Sequence, residues 1–174
     1  MQKGVVRKRR PGALTEYGRQ LKEKQELRGQ YNLRERQFKR YVKGALEGSR
    51  GGDASERFLQ LLERRLDNVI FRAGIAKTRT QARQMASHGH FLVNGRRTTI
   101  PSVSLKKGDI VQLHPSSTES PLFKEAKLSL QKYEPPSWLM LNKETLEIQV
   151  QGQPSLAEIA PSVEIPLVFE YYSR

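Results

Sequence analysis

A regular spacing of apolar residues marks the middle of the chain. Between residues 58 and 70 they recur at intervals of three and four, the period of one buried helix face. Asp53 and Glu56 precede this stretch with the spacing of a capping box, in which Asp is a variant of the usual Ser or Thr. Gly74 follows as a typical helix stop. The pattern predicts one continuous helix over about 53–74. Its apolar residues are Phe58, Leu59, Leu62, Leu66, Val69 and Ile70.

Helical patterns flank this central segment. Two helices are predicted within residues 15–46, with Gly29 weakening or ending the first of them. Another helix runs from Thr78 to about residue 87, and Thr78 with Gln81 again has capping-box spacing. The second helix of the first pair places its apolar residues near one stripe. These are Leu33, Phe38, Tyr41, Val42 and Ala45.

The second half of the chain supplies the predicted strands. Asn94-Gly95 lies between two strand-like runs, and this dipeptide suits the positive φ angles of a type I′ hairpin turn. Residues 163–172 are apolar and β-prone, so a final strand is expected there. Short helices are expected at about 123–133 and 155–160. The other strands are predicted at 91–93, 97–100, 110–113, 138–141 and 146–150.

The chain is strongly basic, and its charge is unevenly distributed. The formal net charge is +13. Residues 1–50 carry fifteen Lys or Arg against five Asp or Glu, and residues 51–115 carry eleven against five. Residues 116–174 carry five against eight. Domains this basic usually bind a polyanion, so the binding surface is expected in the first two thirds of the chain.

The sequence offers little chemistry beyond binding. It contains no cysteine, which excludes disulfides, thiolate metal sites and thiol nucleophiles. His88 and His90 have no third ligand nearby, so no metal site is predicted. A Walker loop, a dinucleotide fingerprint and a nucleophile elbow are absent. There is no secretory signal and no apolar run of about 20 residues. We therefore expect a soluble intracellular protein with no catalytic residue, cofactor or membrane partner.

Clusters of Lys and Arg are the candidate binding residues. Arg7-Lys8-Arg9-Arg10 is either a solvated tail or a phosphate-binding arm. The helices within 15–46 interleave cations with aromatic rings, which either stack on unpaired bases or fill a small core. Phe38 and Tyr41 favour the core. Asp67 either orients a neighbouring arginine or serves only its helix. Guanidinium groups that share one surface bind a phosphate backbone. Four lie on two helices joined by a short turn: Arg65, Arg72, Arg79 and Arg83.

Several motifs together resemble a known family. Residues 62–111 are similar to the RNA-binding module named after small-subunit ribosomal protein four. The residues that carry this resemblance are Leu62-Glu63, Arg65-Leu66-Asp67-Asn68-Val69, Phe71-Arg72, Gly74, Thr78-Arg79, Ala82-Arg83-Gln84, Ser87-His88, Val93-Asn94-Gly95, Ile100, Asp109 and Val111. The flanks resemble the bacterial ribosomal protein family itself. They contribute Tyr17-Gly18, Gln20-Leu21, Glu23-Lys24-Gln25, Tyr31, Glu35-Arg36-Gln37-Phe38, Tyr41, Pro136-Ser137-Trp138-Leu139 and Val168-Phe169-Glu170-Tyr171-Tyr172-Ser173.

This resemblance implies an α+β fold with three parts. A helical N-terminal domain carries an inserted RNA-binding module of two helices packed on a small, mostly antiparallel sheet, and a C-terminal tail returns to the first domain. On this division residues 1–15 form a basic extended arm. Residues 16–60 form the helical domain, completed by about 155–174, and residues 61–154 form the module with its strand extension.

The resemblance also implies a function in the ribosome. A structural constituent of the small (30S) subunit is expected, which docks first on a multi-helix junction in the 5′ domain of 16S rRNA. It would nucleate assembly of the 30S body and contribute to translational accuracy in the cytoplasm. Its expected neighbours are small-subunit protein five, other 30S proteins and mRNA where it enters the subunit. Contacts with rRNA are expected from Arg7, Arg9, Arg10, Lys22, Lys24, Arg28, Tyr31, Arg36, Arg40, Lys43, Arg65, Arg72, Arg79, Arg83, His88, Asn94 and Arg96.

Two other classes of protein carry the same module. An RNA-modifying enzyme such as a pseudouridine synthase would add a sizeable catalytic domain, whereas only about 60 residues follow the module here. A stress protein that binds stalled ribosomal particles would lack the helical N-terminal domain. A cationic membrane-surface protein would need a wide apolar helix face. Members of the resembled family usually carry a few dozen more N-terminal residues, some with a four-cysteine zinc site, which this cysteine-free sequence does not have.

Overall fold

A computed structural model describes residues 15–48 and 53–173 of the chain. Its helices and short antiparallel strands confirm the predicted α+β class. The elements are α1 (Glu16–Gln30), α2 (Glu35–Gly48), α3 (Ala54–Glu63), α4 (Leu66–Arg72), α5 (Arg79–Ser87), β1 (Phe91–Val93), β2 (Arg96–Thr98), β3 (Ile110–Leu113), α6 (Pro121–Ser129), β4 (Leu139–Asn142), β5 (Glu147–Val150), α7 (Leu156–Ile159) and α8 (Ile165–Ser173). Residues 1–14 of the predicted arm and 49–52 of the predicted break lie outside the described residues. None of the described helices has both the length and the hydrophobicity needed to cross a bilayer.

The five strands form one antiparallel sheet in the order β2-β1-β3-β5-β4. Asn94 and Gly95 have φ angles of 49° and 76°, which confirms the predicted turn between β1 and β2. The Asn94 side chain also links this turn to β3, because its Oδ1 accepts a hydrogen bond from the backbone N–H of Ile110 at 2.9 Å. A single turn residue therefore sets the hairpin and its neighbouring strand.

The central helix is interrupted, and the prediction of one continuous helix over about 53–74 is wrong. Helix α3 ends at Glu63 and α4 begins at Leu66. Between them the backbone pairs with a passing loop. The N–H of Leu105 donates to the carbonyl of Arg64 at 2.8 Å, and the N–H of Leu66 donates to that of Val103 at 2.9 Å. Apolar periodicity does not reveal such a break, because the spacing of three and four residues continues from Leu62 to Leu66 although α3 and α4 pack in different hydrophobic clusters.

The C-terminal segment is a helix, so the prediction of a strand over 163–172 is also wrong. Helix α8 places Ile165 and Val168 in the interior, with Phe169 and Tyr172 packed beside them. These positions are spaced by three and four residues, which is a helical pattern. Pro166 lies in the first turn, where a missing N–H is tolerated. Packing against the N-terminal helices thus overrides the intrinsic preference of β-branched and aromatic residues for strands.

Two hydrophobic cores divide the described residues. The first is built by α1, α2 and α3 and is closed by α7 and α8, so the C-terminal tail returns to the N-terminal helices. The second lies between α4, α5, α6 and the sheet, and it includes the predicted core residue Trp138. The large, fully buried side chains of the two cores are Leu27, Phe38, Phe58, Leu59, Leu62, Leu66, Ile70, Phe91, Leu105, Phe123, Leu130 and Leu146.

Helix α8 is fastened to α1 and α2 through a buried ammonium group. The Nζ atom of Lys24 lies 3.0 Å from a Glu35 carboxylate oxygen and 4.4 Å from the centre of the Tyr171 ring. The Tyr172 hydroxyl group donates to the same carboxylate at 2.5 Å. Burial opposes the charge of Glu35, but the hydrogen bonds from Tyr172 and Lys24 prevail and lower its pKa. This contact couples the tail to the basic helices.

Truncating the tail's main apolar contact tests whether α8 is part of the first core. We expect Val168→Ala to lower the free energy of unfolding by about 2 kcal/mol, because two methylene-sized groups are lost and a cavity remains. Urea denaturation monitored by circular dichroism measures this change. Leu167→Ala, at a half-exposed neighbouring position, should have a much smaller effect. Equal effects of the two variants would show that α8 does not pack as described.

Candidate nucleic-acid interface

The carboxylate of Glu63 is buried where α3 ends. It is fully shielded from solvent and accepts hydrogen bonds from the Tyr31 hydroxyl group at 2.5 Å and from Nδ2 of Asn68 at 2.7 Å. Arg72 adds a bidentate contact, with Nε and Nη2 each 2.8 Å from a Glu63 oxygen. A buried charge is tolerated only when it is paired and hydrogen-bonded. These donors replace the water that Glu63 has lost.

Asp67, in the first turn of α4, is the second buried carboxylate. Arg65 donates from Nε and Nη2 to its two oxygens at 3.0 and 2.7 Å. Nε of Arg83 donates to it at 2.9 Å. Arg65 is itself buried and also donates to the Tyr41 hydroxyl group at 2.6 Å. Of the two roles that the sequence allowed for Asp67, the structure shows the orienting one, and it orients two arginines.

Arg83 joins the second core to the turn between α1 and α2. From α5 its guanidinium group donates to the backbone carbonyl of Asn32 and, at 3.1 Å, to that of Tyr31. The Asn32 side chain in turn donates to the Thr80 hydroxyl group at 3.1 Å. Since Asp67 holds the other side of Arg83, this side chain bridges the N-terminal helices and the α4–α5 pair.

Arg79 is enclosed by aromatic rings at the same junction. Its guanidinium carbon lies 4.5 Å from the ring centres of both Tyr31 and Phe71, and its Nε donates to Oδ1 of Asn68 at 2.7 Å. Glu63 is further away, 3.8 Å from Nη2 of Arg79. Such cation–π contacts restrict a guanidinium group without neutralising it. Arg79 is therefore positioned firmly but paired weakly.

The pKa shifts likewise distinguish Arg79 from Arg65 and Arg72. Burial alone would lower the pKa values of Arg65 and Arg72, but hydrogen bonds and charge from Asp67 and Glu63 outweigh it and raise both. Arg79 behaves in the opposite way, because burial prevails and the nearby charge of Arg72 adds to it, so its pKa is lowered. Burial and the charge of Glu63 raise the pKa of Tyr31, which keeps its hydroxyl group a donor. Arg79 is the arginine here that lacks a close carboxylate.

The predicted site residues fall into four groups. Three have buried side chains occupied by protein partners and are unsuited to direct contact, namely Lys24, Tyr31 and Arg65. Four are half-buried at the junction or beside it, namely Arg28, Arg72, Arg79 and Arg83. Seven are exposed, namely Lys22, Arg36, Arg40, Lys43, His88, Asn94 and Arg96. Three lie outside the described residues, namely Arg7, Arg9 and Arg10.

Exposed cations on α2 form a stripe. Arg36, Arg40 and Lys43 are separated by four and three residues, so they project from one side of the helix. Lys43 also forms an exposed ion pair with Glu47, in which its Nζ atom lies 3.5 Å from a carboxylate oxygen. The opposite side of α2 supplies Phe38, which confirms its predicted core role. The helix therefore separates a packed side from a cationic side.

Two features of the site were not predicted from the sequence. Lys106 and Lys107 are exposed in the loop before β3, which reaches the hairpin turn through a 3.0 Å hydrogen bond from Asn94 to Asp109. Their two adjacent charges next to Gly108 are the sequence feature that could have identified them as candidate binding residues. The central role of Glu63 was also missed, because an acidic residue beside Arg64 and Arg65 looks like an ordinary surface ion pair.

The histidines do not assemble a metal site among the residues that the structure describes, where no group of three or more His, Asp or Glu side chains is close enough to hold an ion. The rings of His88 and His90 are 5.9 Å apart. Nδ1 of His90 makes a 2.8 Å hydrogen bond with the Ser117 hydroxyl group. His90 therefore has a local structural partner, whereas His88 is exposed.

A helix pair packed on a small antiparallel sheet, presenting guanidinium groups at its junction with a cationic helical domain, defines an RNA-binding protein. Residues 64–111 match the family model described as the S4 domain, and residues 1–63 match the one described as the ribosomal protein S4/S9 N-terminal domain. The chain belongs to the uS4 family of small ribosomal subunit proteins. It is therefore a ribosomal, rRNA-binding protein of the cytoplasmic small subunit and not an enzyme, which confirms the resemblance and excludes the RNA-modifying alternative.

Similar proteins come from diverse bacteria. Small ribosomal subunit protein uS4 of Persephonella marina is 48% identical over 161 residues, which cover 92% of this chain and 78% of that protein. The protein of the same name from Halothermothrix orenii is 45% identical over 166 residues, covering 95% and 79%. That of Chloroflexus aurantiacus is 42% identical over 175 residues, covering 99% and 83%. The likeness thus extends across both cores and the tail.

Neutralising Asp67 tests whether the buried carboxylates hold the junction together. We expect Asp67→Asn to lower the free energy of unfolding by about 3 kcal/mol or more, because Arg65 and Arg83 would be left with uncompensated charge. Chemical denaturation measures the loss. Glu125→Gln removes an exposed partner of Lys77 and should leave stability unchanged. An unchanged free energy of unfolding in Asp67→Asn would show that this carboxylate does not hold the junction together.

Proposed function

We propose that this chain is a primary rRNA-binding protein that docks on a multi-helix junction in the 5′ domain of 16S rRNA. There it would nucleate assembly of the 30S body and contribute to translational accuracy. The observation that carries the proposal is the junction between the two cores, where buried carboxylates fix Arg72 and Arg83 and two aromatic rings fix Arg79. Guanidinium groups held in place present their positive charge to phosphates without first losing conformational freedom. A folded RNA backbone is the ligand that such an array suits.

The proposed contact surface extends from this junction to the exposed cations. Lys106 and Lys107 are added to it because of their exposure, whereas Lys24, Tyr31 and Arg65 are assigned to supporting roles inside the protein. Arg7, Arg9 and Arg10 remain proposed contacts. The full set of proposed contacts on described residues is Lys22, Arg28, Arg36, Arg40, Lys43, Arg72, Arg79, Arg83, His88, Asn94, Arg96, Lys106 and Lys107.

Two neighbours are proposed beyond the rRNA. Small-subunit protein five is the proposed protein neighbour, and mRNA where it enters the subunit is proposed to contact the run from Arg7 to Arg10. We also propose that residues 16–60 with about 155–174 act as one domain and residues 61–154 as the other. The separation into two hydrophobic cores supports this division.

Salt dependence tests the proposed target. We expect the full chain to bind a 5′-domain fragment of 16S rRNA with an affinity that falls about a thousandfold between roughly 50 and 200 mM salt, as for about six neutralised phosphates. Filter binding or fluorescence anisotropy across a salt series measures the slope. An unrelated structured RNA of equal length is the control. Equal affinity for the control RNA would contradict docking on a specific junction.

The stripe on α2 gives a second test. Replacing Arg36, Arg40 and Lys43 together by alanine should weaken binding and reduce the salt slope by about 2 to 3, because up to three phosphate contacts are lost. Circular dichroism should be unchanged, since all three side chains are exposed. The charge-matched control replaces Lys124, Lys127 and Lys132 by alanine in the acidic last third of the chain. A similar loss in both variants would mean that net charge alone governs binding.

A further inference from the structure

We propose that the groove beside Phe71 and Arg79 binds one unpaired nucleotide of the rRNA, with its base packed against Phe71. This inference rests on the proposed function and specifies how one position of the target would be recognised. The groove lies where the turn after α1, the end of α4, the start of α5 and the segment after α7 meet. Residues from both cores therefore build it.

Two adjoining cavities make up this groove. One has a volume of about 430 Å³ and extends between Gly29 and Thr80. The other has a volume of about 270 Å³ and extends from Leu27 to Ser162. Gln30, Phe71 and Arg79 line both cavities. Both are open to solvent, and depressions of several hundred Å³ are large enough for a nucleotide to lie in them.

Phe71 supplies an apolar surface for a base. Its ring is only partly buried, although it packs on the edge of the second core. RNA-binding proteins recognise unpaired bases by stacking them on aromatic side chains and arginine planes. The guanidinium group of Arg79 lies over the rings of Tyr31 and Phe71 and covers one face of each, so its position is fixed before RNA arrives. The base would therefore pack against the part of the Phe71 ring that remains exposed. The N–H edge of this guanidinium group is then the natural donor to a base or phosphate oxygen.

The charge around the groove favours an anionic ligand. Arg72 takes the close, bidentate contact with Glu63, which leaves Arg79 at 3.8 Å from that carboxylate. Lys77 also stands at the rim, where its ammonium group pairs with Glu125 at 2.7 Å. Among the described residues that line the two cavities there is no Asp or Glu. A nucleotide phosphate would supply the counter-charge that the protein gives to Arg79 only weakly.

Polar groups around the groove suit the edges of a base. The Gln30 amide donates to the Ser162 hydroxyl group at 2.5 Å, which ties the α1 end to the segment after α7. Asn32, Thr78 and Thr80 stand on the opposite wall. Amide and hydroxyl groups can donate to or accept from the Watson–Crick edge. The chemistry therefore matches a splayed-out nucleotide better than a paired helix, whose bases are closed to such contacts.

Removing the aromatic ring while keeping its bulk tests the proposal. We expect Phe71→Leu to weaken binding of the full chain to the 5′-domain rRNA fragment roughly tenfold, which is the scale of one lost base stack. The salt slope should not change, because no phosphate contact is lost. Phe71→Tyr keeps the ring and should bind like the wild type. Phe169→Leu, at a partly buried ring of the first core, is the matched control and should also bind normally.

Dimethyl sulfate probing identifies the nucleotide. We expect one unpaired base to be protected by the wild-type chain and by Phe71→Tyr but to become reactive with Phe71→Leu. Ultraviolet crosslinking of the wild-type complex is a second readout that needs no variant, and it should join that nucleotide to the peptide 66–72. If no base depends on Phe71 and no crosslink reaches this peptide, the inference is overturned.

The outcomes separate this inference from the proposed function. If the wild-type chain does not prefer the 5′-domain fragment, the proposed rRNA target is wrong. Normal binding by Phe71→Leu, with the preference retained, would leave the target in place and remove only the base site. A loss that appears with Arg79→Lys but not with Phe71→Leu would show that the groove holds a phosphate alone, and it would likewise overturn the base site. Binding of an acidic peptide in this groove instead of RNA would likewise overturn the base site.

Discussion

The structure depends on two carboxylates that are buried among arginines. Glu63 and Asp67 are 0% and 3% exposed, and the interior could not hold either of them without several charged donors. That requirement draws Arg72 and Arg83 into defined positions. The carboxylates in turn offset the repulsion that neighbouring guanidinium groups would otherwise exert on one another. The surface that faces RNA in our proposal is thus organised from beneath, by acidic residues that RNA does not reach.

The same network sets the relation between the two cores. The chain passes directly from α3 to α4, and the loop that pairs with Arg64 and Leu66 turns the second helix away from the first. Arg83 then reaches back to the carbonyl groups of the α1–α2 turn. Tyr31, at the end of α1, donates to Glu63 from the other side. Because these contacts are short and mutually dependent, the cores are held as a unit rather than linked by a flexible joint.

Local patterns predicted the elements well, and tertiary contacts explain the exceptions. Asn94-Gly95 specified its turn because positive φ angles are a local property of those residues. The break after Glu63 depends on a loop about forty residues away, which periodicity cannot reveal. The tail became helical because its three- and four-residue spacing fits the first core. Likewise, Lys24 and Arg65 were predicted to contact rRNA because they are cations in basic segments. Only the fold shows that their charged partners lie inside the protein.

Exposed and half-buried cations differ in what they contribute to binding. Arg36 and Lys43 stand in water, where screening beyond about 8–10 Å lets them attract any polyanion without distinguishing its shape. Arg79 and Arg83 have little freedom, since two rings fix the first and Asp67 holds the second. In our proposal they therefore favour phosphates of matching spacing. In our proposal the net charge of +13 therefore governs encounter with RNA, whereas discrimination among RNAs depends on the junction of the two cores. This separation explains why composition points to the ligand class but the folded junction is needed to choose the ligand.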